Sequence, residues 1–280
     1  MRASRGSSVA RCVSIAALLS SSLVACGGSA ATGGSGTNGG TGTATGASCE
    51  SVSLSGLVNF NQLALSTSSI VTASFYGQPL TGDVDFGCNA ACKFTPRGDG
   101  GASFDGGLDV GTVTASDLTS GAFKNLTEAS SVYFTSSFAW AAGDMLQIAG
   151  GGGTFPAFAI SLPSPATLTV TSPSGIAAGE TVMASQGTGL TVAWQPSTPP
   201  ASFMGVGILA SVGEIDCYPP DSAGTLTISP SMLSNIPVGS YSMGQGLTVG
   251  RWTTAVDTFG GKTIGVQVQE YLNVGLQIGP

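Results

Sequence analysis

The residues best suited by type to bind a ligand or do chemistry are five aspartates within one short segment. The segment TGDVDFGCNAACKFTPRGDGGASFDGGLDV, residues 81–110, contains Asp83, Asp85, Asp99, Asp105 and Asp109. Calcium takes six to eight oxygen ligands, which clustered loop aspartates and backbone carbonyls can supply. The same residue type can provide the two carboxyl groups of a glycosidase, which stand about 5 to 9 Å apart.

Turn chemistry is the competing interpretation of this segment, and it is the one we favour. The spacing departs from an EF-hand loop, because Gly87 stands at the third ligand position and Phe94 at that of the closing glutamate. The Asp-Gly pairs that begin at 99 and 105 are typical of hairpin turns. We therefore expect no bound metal and no other cofactor. If the calcium alternative holds instead, the candidate ligands are Asp83, Asp85, Asp99 and Asp105.

Four of the six cysteines lie after residue 48, and they are Cys49, Cys88, Cys92 and Cys217. An even count in an oxidising compartment predicts two disulfides, and the sequence leaves all three connectivities open. A partner of Cys217 would be at least about 125 residues away, so closing that loop would stabilise the fold by about 4 to 5 kcal/mol. The C-x-x-x-C pair at 88 and 92 could instead hold a metal or act in redox chemistry.

Composition argues against two common functions. The chain contains no histidine, which removes Ser-His-Asp and Cys-His catalysis and histidine-ligated zinc. Eight basic and 15 acidic residues become 5 against 15, a net charge of −10, once the three arginines of the first 25 residues are removed. Nucleic acid binding depends on Lys and Arg, so we expect no nucleic acid partner.

The N-terminus has the organisation of a secretory signal peptide. Three arginines, Arg2, Arg5 and Arg11, precede the uncharged segment Val13–Ala25. That segment has about 13 residues, whereas a membrane-spanning helix needs about 20. We therefore expect residues 1–25 to be removed on export.

The residues Leu23, Val24, Ala25 and Cys26 read L-V-A-C at the end of that segment. They resemble the lipobox of bacterial lipoproteins. The resemblance implies cleavage after Ala25, a diacylglycerol on the Cys26 sulfur, and a lipid anchor as the protein's link to the membrane. Gly27 follows in place of an acidic retention signal, which favours the outer membrane of the cell envelope.

Residues 26–48 follow the signal as the lipidated cysteine and a linker of Gly, Ser, Thr and Ala with one Asn. Such a segment has almost no apolar surface to bury and much chain entropy to lose on ordering. We predict a disordered tether that holds a folded part away from the lipid.

The rest of the chain predicts an all-β fold. Apolar residues recur two apart in short runs between turn residues, which places them on one face of a strand. The runs include Val52 and Leu54; Val71, Ala73 and Phe75; Leu146 and Ile148; Phe158, Ile160 and Leu162; Leu168 and Val170; Leu190, Val192 and Trp194; Leu226 and Ile228; Ile264, Val266 and Val268. Their polar partners are largely Thr, Ser and Gln, which favours half-solvated antiparallel sheets.

We predict two antiparallel β-sandwich domains, residues 49–162 and 163–280, divided near the proline-containing segment Ser161–Ala166. In the second, PATLTVTSPS, GLTVAWQPS and TLTISPSMLSNIPVGSY resemble strands of immunoglobulin-like and fibronectin type III sandwiches. The resemblance implies that Trp194 is the core tryptophan and Tyr241 a late-strand aromatic.

The function these observations favour is a non-catalytic binding or structural module at the cell envelope, with an envelope protein or glycan as its partner. The chain is similar as a whole to uncharacterised exported lipoproteins of Gram-negative bacteria, a resemblance that implies no activity. The alternatives are an aspartate-dependent hydrolase and a calcium-binding surface protein.

Overall fold

The chain folds into strands, with one short helix and one 3-10 turn among the residues described. The structure is a computed structural model that describes residues 53–64, 69–80, 92–97, 107–129, 132–174, 176, 180–198, 201, 203–242 and 244–280. The helix α1 is Pro230–Leu233, capped by the Ser229 hydroxyl, and the 3-10 turn is Asp221–Ala223. In chain order, the strands are β1 Leu54–Leu63, β2 Ser69–Leu80, β3 Lys93–Pro96, β4 Val113–Asp117, β5 Phe123–Asn125, β6 Thr127–Ala129, β7 Val132–Ser136, β8 Met145–Gly150, β9 Phe158–Pro163, β10 Val170–Ser172, β11 Thr181–Ser185, β12 Leu190–Trp194, β13 Phe203–Ala210, β14 Gly213–Cys217, β15 Thr225–Ile228, β16 Gly239–Tyr241, β17 Leu247–Phe259 and β18 Lys262–Gly279.

The strands form three sheets. The largest follows the order β3-β14-β13-β17-β18-β1-β2-β7-β6, and β11 and β16 also pair with β18. The two smaller sheets are β10-β12-β15 and β5-β4-β8-β9. The prediction of an all-β fold is confirmed.

Strand β18 is the centre of the largest sheet. It pairs with β17 in an antiparallel hairpin and with β1 in parallel, with Gly56 beside Ile264 and Leu63 beside Tyr271. Its last residues pair in parallel with β11. These two parallel pairings depart from the antiparallel expectation, because alternation shows which face of a strand is buried but not its direction. A parallel pair needs a long crossover, and here residues 64–261 separate β1 from β18.

The predicted alternation matches the buried faces of several strands. Inward residues of β2, β8, β9 and the first half of β18 form one hydrophobic cluster, which includes Val71, Phe75, Leu146, Ile148, Phe158, Ile160, Ile264, Val266 and Val268. A second cluster is built from β12, β13, β14 and the second half of β18, and includes Val192, Trp194, Ile208, Ile215, Leu272, Val274, Leu276 and Ile278.

Strand β18 therefore contributes to both clusters: Val268 is its last residue in the first cluster, and Leu272 is its first residue in the second. The inward residue between these two is Glu270. The segment at the predicted domain boundary is bonded close to this part of the sheet. The Ser164 amide donates to the Asp144 carbonyl at 2.8 Å, and the hydroxyl of Thr253, the partner of Val268, donates to the Pro163 carbonyl at 2.6 Å. The division into domains 49–162 and 163–280 stays a prediction.

Candidate functional site

Most residues singled out from the sequence lie outside the described part of the chain. These are the signal and linker with Cys26, the cysteines Cys49 and Cys88, and the calcium candidates Asp83, Asp85, Asp99 and Asp105. Their roles stay predictions. In the ranges that the structure covers, no three His, Cys, Asp or Glu side chains come together as a metal site, and no helix is long and apolar enough to cross a membrane.

Asp109 is the one aspartate of the predicted cluster that the structure describes, and it shapes a turn. Its Oδ1 accepts a hydrogen bond from the Gly111 amide at 2.8 Å, and its carbonyl accepts from the Phe155 amide at 3.0 Å. Gly111 has a φ of 67°, a left-handed conformation that favours glycine. For this residue the contacts are those of turn chemistry.

One disulfide joins Cys92 to Cys217 across 125 residues. Cys217 ends β14, and Cys92 directly precedes β3, whose Lys93 pairs with Asp216 of β14. The bridge therefore fastens the edge strand β3 to the sheet. Of the three connectivities left open by the sequence, the structure shows the one that pairs Cys217 with Cys92.

A polar layer lies where the two hydrophobic clusters meet, and it consists of Gln62, Glu270 and Arg251 with Asp221. The first three are neighbours across three strands, since Gln62 of β1 is in register with Glu270 of β18, and Glu270 with Arg251 of β17. Cross-strand partners project to the same face of a sheet. The three side chains therefore share the inward face, between apolar residues above and below.

Arg251 is the cation of this layer and is 1% exposed. Its Nε and Nη2 donate to Oδ1 of Asp221 at 3.2 and 3.1 Å. Its Nη1 donates to the carbonyls of Thr167 at 2.6 Å and Ala166 at 3.3 Å, and Nη2 also donates to the Gln195 carbonyl. A guanidinium has five N–H groups, so these contacts account for all of them.

Asp221 is as deeply buried as Arg251 and is fully committed to structure. Its second oxygen accepts from the Ser197 amide at 2.9 Å, the Ser197 hydroxyl and the Ala201 amide at 3.2 Å. Burial by itself would raise the pKa of Asp221, but the hydrogen bonds from Ser197 and the charge of Arg251 outweigh it and hold the pKa below its usual value. The carboxylate therefore stays ionised as the counterion of Arg251.

Glu270 is in a different situation. It is 8% exposed, and its Oε2 accepts one hydrogen bond, from the Leu168 amide at 2.7 Å. Burial raises the pKa of Glu270 above its usual value, although the Leu168 amide and the charge of Arg251 act in the other direction. One cation thus faces two buried carboxylates, and its N–H groups go to Asp221 and to three backbone carbonyls.

A cavity of about 260 Å³ opens beside Glu270. We call it the Glu270 cavity, and its lining is Gln62, Trp140, Ala141, Ala142, Pro165, Thr167 and Glu270. The ring of Trp140 contacts that of Phe60, with ring centroids 5.9 Å apart in an edge-on arrangement. The Oε1 atom of Gln62 is buried and has no hydrogen-bond partner. The lining of the cavity thus includes a tryptophan, a carboxylate side chain and an amide side chain.

The sequence analysis did not single out these residues, although two of them carry a signal. Arg251 occupies the inward position that follows Leu247 and Val249 in steps of two, and Glu270 follows Val266 and Val268 in the same way. A charged residue in an apolar alternating register indicates a buried charge, which needs a partner. For Gln62, Trp140 and Asp221 we find no comparable signal.

The comparisons with known proteins leave the site to be interpreted from its own geometry. No protein-family model matches the chain, and no curated protein is significantly similar to it.

Proposed function

We propose that the protein is a lipid-anchored component of the bacterial cell envelope, most consistent with the outer membrane, whose exported β-sheet part is a non-catalytic binding or structural module. The anchor is proposed on the L-V-A-C sequence at Leu23–Cys26 and the charged and apolar segments before it. The tether of residues 27–48 would then present the folded part to an envelope protein or glycan.

One observation in the described residues favours the module over a hydrolase at the Glu270 cavity. The cavity lining offers one carboxylate, whereas glycoside hydrolysis uses two that flank the bond. The other carboxylate of the polar layer, Asp221, has its oxygens occupied by Arg251, Ser197 and Ala201. These contacts favour a role for the polar layer in holding the two clusters together.

An immunoglobulin-like sandwich remains our proposal for the second half. It is supported by Trp194, which is 2% exposed in the second cluster and donates its indole N–H to the Asp221 carbonyl at 2.8 Å. It is also supported by Tyr241, whose hydroxyl donates to the Pro237 carbonyl at 2.6 Å. A tyrosine bonded to the backbone a few residues upstream is a recurrent feature of such sandwiches.

The anchor is tested by replacing Cys26 with Ser and fractionating cells that express each form. We expect wild-type protein in the membrane fraction, released by detergent, and the variant in the soluble fraction. Cys12→Ser is the matched control, because that cysteine lies inside the predicted signal and its loss should leave partitioning unchanged. Full recovery of the Cys26 variant with the membranes would overturn the anchor.

A further inference from the structure

The Glu270 cavity is lined by a carboxylate to which no basic side chain among the described residues is hydrogen-bonded. We propose that it binds a small primary ammonium ion, held by the Glu270 carboxylate in the cavity that Trp140 also lines. This inference rests on the proposed binding role and adds the chemical class of the ligand.

The charge of the polar layer favours a cation. Among the residues that the structure describes, Arg251 is the one basic member of the layer, and its five N–H groups go to Asp221 and to three backbone carbonyls. The hydrogen bond to Glu270 comes from the Leu168 amide. Glu270 is therefore a buried carboxylate without a directly bound counterion, and a charge in that position is costly until one arrives.

The neighbouring amide side chain forms part of the same wall. Gln62 is the parallel-strand partner of Glu270, so the two side chains lie side by side along one wall of the cavity. The Oε1 of Gln62 is itself buried, so the carboxylate of Glu270 is the group that holds the ligand. A primary ammonium carries three N–H donors and can bond this carboxylate directly.

The remaining walls favour an organic cation over a metal ion. Trp140 lines the cavity, and an indole face attracts ammonium groups. Calcium needs six to eight oxygens, more than the Glu270 carboxylate supplies. The volume of about 260 Å³ lies below the range of about 300–1,000 Å³ for drug-sized ligands, so the ligand is a small amine.

The test is a titration of the full chain with n-butylammonium, followed by NMR of the tryptophan indole N–H signals. The chain has three tryptophans, and the signal of Trp140 is identified by its loss in Trp140→Phe. We expect n-butylammonium to shift this signal saturably, and 1-butanol, which has the same length and no charge, to leave it in place. Two further salts are titrated in the same way. A shift with calcium chloride would indicate a metal site, and a shift with tetramethylammonium chloride would indicate a site for any cation, whereas a primary ammonium site should respond to neither as it does to n-butylammonium.

Glu270→Gln is the decisive variant, because it keeps the size and an oxygen that can accept from Leu168 while removing the charge. A hydrogen bond to a charged group contributes about 1.5–3 kcal/mol, so we expect binding to weaken about tenfold or more. Glu128→Gln, at an exposed glutamate of β6, is the matched control and should bind as wild type does.

Equal binding of n-butylammonium by wild type and Glu270→Gln would overturn the proposal, as would equal binding of 1-butanol, tetramethylammonium or calcium. These results leave the membrane anchor untouched, because fractionation of the Cys26 variant tests it separately. Conversion of the amine to a product would contradict the non-catalytic role instead, and product analysis after the titration detects it.

Discussion

Replacing Arg251 with Met tests whether the polar layer holds the two clusters together. The substitution keeps a long flexible side chain and removes the charge with all five N–H donors. It leaves Asp221 with the donors from Ser197 and Ala201 only, and it leaves two buried carboxylates without a cation.

The expected loss of stability follows from these contacts. Removing one partner of a buried ion pair costs about 3–5 kcal/mol, because the other charge stays buried without compensation. The carbonyls of Ala166, Thr167 and Gln195 lose their donor as well, so we expect the upper part of that range. Folded domains are stable by about 5–15 kcal/mol, so such a loss is a large fraction of the total.

The assay is urea unfolding of the full chain, followed by tryptophan fluorescence and circular dichroism. Lys124→Met is the matched control, since Lys124 is exposed and its ammonium makes one contact, to the Ser136 carbonyl at 3.3 Å. We expect the control to remain within about 0.5 kcal/mol of wild type. Should Arg251→Met be too unstable to purify, Ser197→Ala is the milder variant: it removes the hydroxyl bonded to Asp221 and should cost about 1–3 kcal/mol.

The pH dependence of the unfolding free energy is a second test of the contacts between Arg251 and Asp221. The pKa of Asp221 is lower in the folded chain than in the unfolded chain, so its contribution is present above the unfolded pKa and lost as the pH falls through the folded pKa. Part of that acid-side loss should disappear in Arg251→Met. A loss of stability no larger than that of Lys124→Met would refute the reasoning.

Three further substitutions test other parts of the structure. Cys217→Ser opens the loop closed by Cys92 and should cost about 4 to 5 kcal/mol in the entropic description, measured by urea unfolding without reductant. Gly150→Ala should cost about 1–3 kcal/mol by overpacking, because its Cβ would stand 2.3 Å from the buried ring of Phe158, and thermal unfolding measures it. The raised pKa of Glu270 means that its contribution is fully present below the unfolded pKa and declines as the pH rises toward the folded value; Glu270→Gln should abolish that decline in unfolding curves recorded from acid to neutral pH.

Each of these has a matched control. Cys92→Ser should reproduce the loss of the other cysteine variant, and different losses would contradict a shared bridge. Gly77→Ala places its Cβ 3.9 Å from Leu108 and should be tolerated better than Gly150→Ala; equal costs would count against overpacking. Glu128→Gln should retain the wild-type dependence on pH, and the Glu270 prediction is wrong if both glutamine variants behave alike.

The strands could be predicted because alternation is a local property. Leu146 and Ile148, or Phe158, Ile160 and Leu162, stand two apart and face one side of their strands, as the burial of all five confirms. The cysteine count predicted disulfides, and the bridge between Cys92 and Cys217 is one of them. The distance between these two along the chain prevented a choice of partner from sequence.

The cavity could not be predicted for a similar reason. Gln62 and Glu270 are neighbours only because β1 pairs in parallel with β18, and nothing local to either strand indicates that pairing. Trp140 and Thr167 reach the same cavity from segments that follow other strands. The inward positions of Arg251 and Glu270 indicated buried charges, but not which groups would receive them.

The sequence by itself determined the strand-forming faces, the excess of acidic residues and the lack of histidine, because each is a property of residue types and short spacings. It also predicts the lipid anchor at Cys26. The tertiary structure alone decided that β18 joins two hydrophobic clusters, that Asp221 takes the guanidinium of Arg251, and that Glu270 is left beside a cavity. These outcomes depend on which distant strands pair, and that choice is made by the burial of the whole set of apolar faces together.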